Sequence, residues 1–143
     1  HMHSDYTTML FIQELMHKGE FEAAREGMDK LVEFETKHEK MEMERVLVRL
    51  MEAILLWRES TEYQTGEQVH EINEALEAVD YYIEEGTELT YDYYKTIWNE
   101  AFNEAKDYTE TWLGRSVERE TLTWEEVFEE EYSMFNVKSA DNE

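Results

Sequence analysis

The 143-residue chain has no cysteine, no proline, five glycines and only 13 lysines and arginines. Each shortage excludes something. Without cysteine there is no disulfide, no thiolate nucleophile and no cysteine-ligated metal. Without proline, and with so few glycines, little interrupts the backbone, so long helices are expected. Thirteen cations against 36 carboxylates leave a net charge of −23. That excludes a general nucleic-acid binder, because phosphate contacts need clustered Lys and Arg. Long hydrophobic runs are missing too: the longest, Ala53 to Trp57, spans five residues against the roughly 20 needed to cross a bilayer. No basic stretch precedes a long apolar one near the start, so no signal peptide is expected and the chain reads as cytoplasmic, without membrane attachment.

What is present is a large hydrophobic inventory, 41% apolar and 13% aromatic, too rich for a disordered acidic tail. A chain of this length buries roughly 68–70% of its extended surface in one domain. Residues 1–3 read as a tag remnant around a start at Met2, residues 4–136 as a single helical domain, and residues 137–143 as a fraying tail.

Apolar residues recur at intervals of three and four along most of the chain. The first helix is predicted from Ser4 to Lys18 and stops at Gly19, which can take the left-handed C-terminal conformation. The second starts near Glu20 and repeats through Phe21, Ala24, Met28, Leu31 and Val32. The nearly all-polar stretch Glu35 to Glu44 leaves two readings, a turn near Thr36 to Glu39 or one longer helix. From Lys40 to Glu59 the apolar surface, from Met43 to Trp57, covers most of the circumference, so this helix is expected at the centre of the core. Thr65-Gly-Glu-Gln68 reads as a capping box opening a fourth helix that runs to Gly86. A fifth, from Thr90 to Gly114, puts Tyr91, Tyr94, Trp98, Ala101, Ala105, Tyr108 and Trp112 on one seam. A second capping box, Thr123-Trp-Glu-Glu126, opens a short last helix reaching Tyr132. Strand signals and internal repeats are missing. The predicted fold is all-α, a mainly antiparallel bundle of five to six helices in a single domain. A helical-repeat solenoid is the competing architecture.

These features resemble the domain of unknown function 29 family, small all-helical proteins. The likeness rests on Gly19-Glu-Phe21, the Leu-rich helix closing on Trp57, the run Trp98-Asn-Glu-Ala-Phe-Asn-Glu-Ala105 and the Thr-Leu-Thr-Trp-Glu-Glu-Val ending at Val127. It covers most of the chain. The chain departs from the family's pattern at Ala53 and Leu56, where a His and a basic residue are usual, and in having no proline. The resemblance implies a helical fold and carries over no activity and no functional residue.

Three constellations bear on chemistry. The Glu-x-x-His pairs Glu14/His17, Glu35/His38 and Glu67/His70 have the spacing by which carboxylate-bridged metal bundles present ligands. Such spacing is common by chance at this acid density, and Glu67 and His70 share a polar face, so solvated histidines are expected and no metal or cofactor is assigned. Glu59/Glu62 and Glu77/Asp80 loosely fit helices that hold Mg²⁺ over phosphates, but no basic cluster accompanies them. A metal-dependent enzyme is therefore a subordinate alternative, and no Gly-rich loop or serine elbow supports another catalytic class. Acidity is lopsided: 8 basic and 13 acidic residues up to Ser60, a net of −5, against 5 and 23 from Thr61 onward, a net of −18. A body so negative repels nucleic acid and attracts basic proteins that bind it, so an inhibitory nucleic-acid mimic is the main alternative.

Aromatics are equally lopsided, with 13 of 19 between Tyr81 and Phe135. Tyr81, Tyr93 and Trp124 fall off the main stripes, and with Phe128 and Tyr132 of the last helix they form the candidate interface. The reading that follows is a non-catalytic helical module that binds a protein partner or a second copy of itself.

Overall fold

Gly19 and Gly114, both at positive φ, each close a helix, and the Thr65 and Thr123 hydroxyls each cap the start of a helical turn. The computed structural model describes residues 5–84 and 91–137, with α1 at Asp5–His17, α2 at Phe21–Glu59, α3 at Gly66–Glu84, α4 at Tyr91–Thr96 and α5 at Trp98–Leu113. Short 3₁₀ turns occupy Thr61–Tyr63 and Met134–Asn136, and a π turn occupies Glu125–Glu129. Among the described residues there is no strand, and the fold is all-α. The expected boundaries at Ser4, Gly86 and Thr90, the tag remnant and the tail from 138 lie outside the described residues.

The polar stretch after Glu35 does not break the chain. α2 continues through it for 39 residues, about 58 Å, because Glu, Lys and Met are good helix formers and no Gly or Pro intervenes. Contacts divide the chain into two compact units, His1–Glu42 and Met43–Glu143.

The first unit is a helical hairpin. Gly19, at φ 77°, closes α1; its N–H bonds to the Met16 carbonyl and the Glu20 N–H to that of Leu15, the double bond of a Schellman turn. Ile12 and Ala24 are buried in the seam, where a Cβ on Gly27 would meet the Ile12 side chain at 3.1 Å. Glu35 shares a hydrogen bond with Asp5, which with burial raises its carboxyl above the usual glutamate range. The pairs 12/27 and 5/35 establish an antiparallel register.

The second unit holds the larger core. Met43, Leu47, Leu50, Met51, Ile54 and Leu55 are fully buried along α2, as the all-round apolar pattern predicts. α3 runs antiparallel to them: Gln68 Nε2 donates to the Ala53 carbonyl at 2.9 Å, and Arg49 reaches Glu71 and Glu74 at 3.1 and 3.6 Å. Only half of the first capping box forms. Thr65 Oγ1 accepts the Gln68 N–H at 3.1 Å, but the Gln68 side chain turns to Ala53 instead of returning to the cap.

The expected fifth helix is two. α4 ends at Thr96, whose hydroxyl donates to the Tyr93 carbonyl, and Ile97 (φ −106°, ψ 9°) forms a single tight turn before α5. The pair of β-branched residues and the competing side-chain bond interrupt the α ladder. This shifts the phase of the buried face to Ile97, Ala101, Phe102, Ala105 and Thr109, and leaves Tyr108 and Trp112, expected on the seam, 52% and 66% exposed. Trp112 Nε1 donates to the Tyr63 hydroxyl. After Gly114 (φ 72°) the chain runs irregularly from 115 to 123, with Val117 and Leu122 inserted into the core.

Tyr94 is fully buried, and among the described residues its hydroxyl meets no hydrogen-bond partner. Burial holds that phenol well above its ordinary range. A buried unsatisfied hydroxyl costs about 1–3 kcal/mol, so Tyr94→Phe should leave stability unchanged or raise it by about 1 kcal/mol in urea unfolding. A loss of more than 1 kcal/mol would show that the hydroxyl has a partner.

Candidate functional site

The candidate site lies in the second unit, where the chain beyond Leu122 folds back over α4 and the start of α5. The second capping box forms reciprocally: Glu126 Oε1 accepts the Thr123 N–H at 2.8 Å and Thr123 Oγ1 accepts the Glu126 N–H at 3.1 Å. The turn it opens is the π turn Glu125–Glu129, not a helix reaching Tyr132. Glu126 meets Arg119 Nη2 through both oxygens at 2.8 and 2.7 Å and Arg58 at 3.4 Å. Burial alone would raise the Glu126 carboxyl; the Thr123 N–H and the two guanidiniums outweigh it and hold the group below the usual glutamate range.

This segment brings Trp124 and Phe128 against α4 and α5. Trp124 and Phe128 are 4.5 Å apart between centroids, Trp98 lies 5.4 Å from Trp124, and Tyr91 packs edge-on to both Trp124 and Phe128. Trp98 Nε1 donates to the Leu122 carbonyl at 2.8 Å and locks its ring. Tyr91 Oη donates to Asp80 at 2.6 Å, so that carboxylate serves the packing. Lys95 Nζ sits 5.2 Å above the Trp124 ring. Lys95, Trp98, Trp124 and Glu125 line an open depression of about 440 Å³.

Of the five expected interface residues, the fold brings together three. Trp124 and Phe128 are half-buried in this cluster, and Tyr93, also half-buried, adjoins it through Tyr94 at 6.5 Å. Tyr81 is 58% exposed and packs edge-on to Tyr82. Tyr132 is a correction: it is 5% exposed and belongs to the framework. Its hydroxyl donates to the Glu126 carbonyl at 2.6 Å and accepts from Arg58 at 3.0 and 3.2 Å, and its ring stands edge-on to Trp57. Burial pushes this phenol up to about 12, against the pull of Arg58. Lys95 carries no periodic signal and was missed by the sequence reading; its place one turn before Trp98 is the only local clue.

The candidate metal pairs do not converge. Glu35 engages Asp5 while His38 stacks on Phe34, His70 pairs with Glu74 at 3.2 Å, and Glu14 and His17 are exposed. Glu59 pairs with Arg115 at 3.2 Å, and Glu62 lies on the 3₁₀ turn beyond α2. Among the described residues no group of three His, Asp or Glu side chains is placed to hold an ion, and no helix is long and apolar enough to cross a membrane.

Over residues 26–133 the chain matches the family model described as Domain of unknown function DUF29. The chain belongs to the DUF29 family. No curated protein and no solved structure matches it. The DUF29 segment starts within α2 and ends one residue beyond Tyr132, so it contains the whole aromatic cluster and the chain that folds over it.

Proposed function

We propose that this DUF29 protein is a non-catalytic binding module whose cleft at Lys95, Trp98, Trp124 and Glu125 takes a basic segment of a protein partner. The observation that carries this reading is the pair of half-buried tryptophans walling an open depression with a carboxylate at its edge. Tryptophan faces bind guanidinium and ammonium groups, and Lys95 over Trp124 already makes such a contact within the chain. A partner's arginine would replace that lysine and gain Glu125 as counter-ion. The surplus of acid from Thr61 onward, a net of −18, would steer such a partner in and raise its association rate at low salt.

An arginine-rich peptide titrated against the intact chain, followed by tryptophan fluorescence and calorimetry, tests the reading. Truncating a central aromatic costs about 2 kcal/mol or more, so Trp124→Ala should weaken binding roughly thirtyfold, and rising salt should weaken it further. Binding that ignores both the substitution and the salt, or no binding at all, would overturn the assignment.

A further inference from the structure

Apolar side chains on the first unit are exposed to a degree that the hairpin itself does not explain. In α1, Tyr6, Met9, Leu10 and Met16, and in α2, Phe21, Met28 and Val32, are between 44% and 67% exposed. At 100° per residue, and measured from the seam through Ile12 and Ala24, all seven fall to the same side of the antiparallel pair, while Phe11, Phe34 and Met41, also exposed, fall to the other. The register of 12 opposite 27 interleaves them along the hairpin, so they form one continuous face. At roughly 200 Å² for a large side chain, these fractions leave about 750 Å² of apolar surface. That exceeds the roughly 300–600 Å² of the largest patch on an ordinary monomer and matches the roughly 800 Å² each partner gives to a stable interface.

On the same angular count Glu22, Arg25 and Asp29 of α2 fall on this side too, farther from the seam than Phe21, Met28 and Val32. Glu14, Glu26 and Glu33 project from the sides of the helices turned away from the seam, while Arg25, paired with Glu22 at 3.0 Å, stands at the rim. An apolar centre with a polar rim is the layout of a protein interface. In a chain with a net charge of −23, two copies repel at long range, so apolar contact across a face of this area is what holds them together. We infer that this face pairs with the same face of a second copy, two hairpins closing into a four-helix arrangement about a two-fold axis. The face shares no residue with the tryptophan cleft, and the inference stands whether or not the cleft binds a basic segment.

The occupant has a diagnostic salt dependence. Two bodies of −23 are helped together by screening, so self-association should tighten several-fold between roughly 20 and 200 mM salt, the reverse of a basic partner at the cleft. Sedimentation equilibrium of the full chain should give twice the 17.3 kDa chain mass at micromolar concentration. Val32→Glu and Met9→Glu, both at exposed positions, should each return the mass to 17.3 kDa with an unchanged circular dichroism spectrum. Phe34→Glu, exposed on the opposite side of α2, should stay dimeric, as should Trp124→Ala. A chain that is monomeric up to roughly 100-fold higher concentration, or a Val32→Glu variant that still dimerises, would overturn the inference. So would a dimer that weakens as salt is raised.

Discussion

Arg58→Ala should lower stability by about 2–3 kcal/mol and release the segment around Glu126 to Tyr132 before the rest of the second unit unfolds. The guanidinium, only 24% exposed, donates to the Tyr132 hydroxyl and to Glu130 at 2.6 Å, and lies 3.4 Å from Glu126. Removing one member of a buried network costs 3–5 kcal/mol, because its partners lose their compensation. The pairing with Glu130 is partly solvated, which reduces that figure. Arg119 still holds Glu126, so the loss stops short of general unfolding. The check is urea unfolding monitored at the tryptophans against far-ultraviolet circular dichroism: in the variant the fluorescence transition should come first, because Trp124 leaves Trp98. Coincident transitions with less than 0.5 kcal/mol lost would refute the anchoring role. The pH dependence has a definite sign. Glu126 is held below the usual glutamate range in the folded protein, so its contribution is complete above the unfolded value and is lost as pH falls through the lower folded value. Arg58→Ala should shrink that acid-induced loss.

The reason this anchor escapes a reading of the sequence is distance along the chain. Arg58 and Glu130 are separated by 72 positions, and nothing local to either announces the other. Local signals fared better. The recurrence of apolar residues from Met43 to Trp57 marks a helix surrounded by neighbours, and every one of Met43, Leu47, Leu50, Met51, Ile54 and Leu55 is buried. Both threonine caps were legible, although one glutamine found a better use across the bundle at Ala53. The seam through Tyr91 to Trp112 holds at Ala101 and Ala105, which are buried, and fails at Tyr108 and Trp112, because an ideal repeat cannot register the tight turn at Ile97 that shifts the phase of the helix beyond it. Val117 and Leu122 fill the core from a segment with no period at all, where burial is decided only by what the chain passes over. At the candidate site, Trp124 is legible as a residue off the main stripes and Phe128 as an apolar position of the last helix. Lys95 and the role of Tyr132 depended on a fold-back that a one-dimensional pattern does not encode.

The two halves of α2 make the strongest test, because one substitution can be placed in both. Met51 is fully buried and Met41 is 63% exposed, ten positions apart in the same helix. Met→Ala in a packed core removes the transfer free energy of the side chain and leaves a cavity, together 2–5 kcal/mol. Met51→Ala should therefore cost about 3 kcal/mol in urea unfolding. At Met41 there is no cavity to create and alanine is the better helix former, so the change should stay within about 0.5 kcal/mol. The contrast separates two accounts of why α2 is continuous. If the polar stretch after Glu35 is helical only because neighbours hold it, Met41→Ala will be as costly as Met51→Ala. If propensity carries it while the core holds the residues from Met43 onward, only the second substitution will register. Equal losses at the two positions would also remove the basis for treating the apolar side chains of the first unit as an uncovered face.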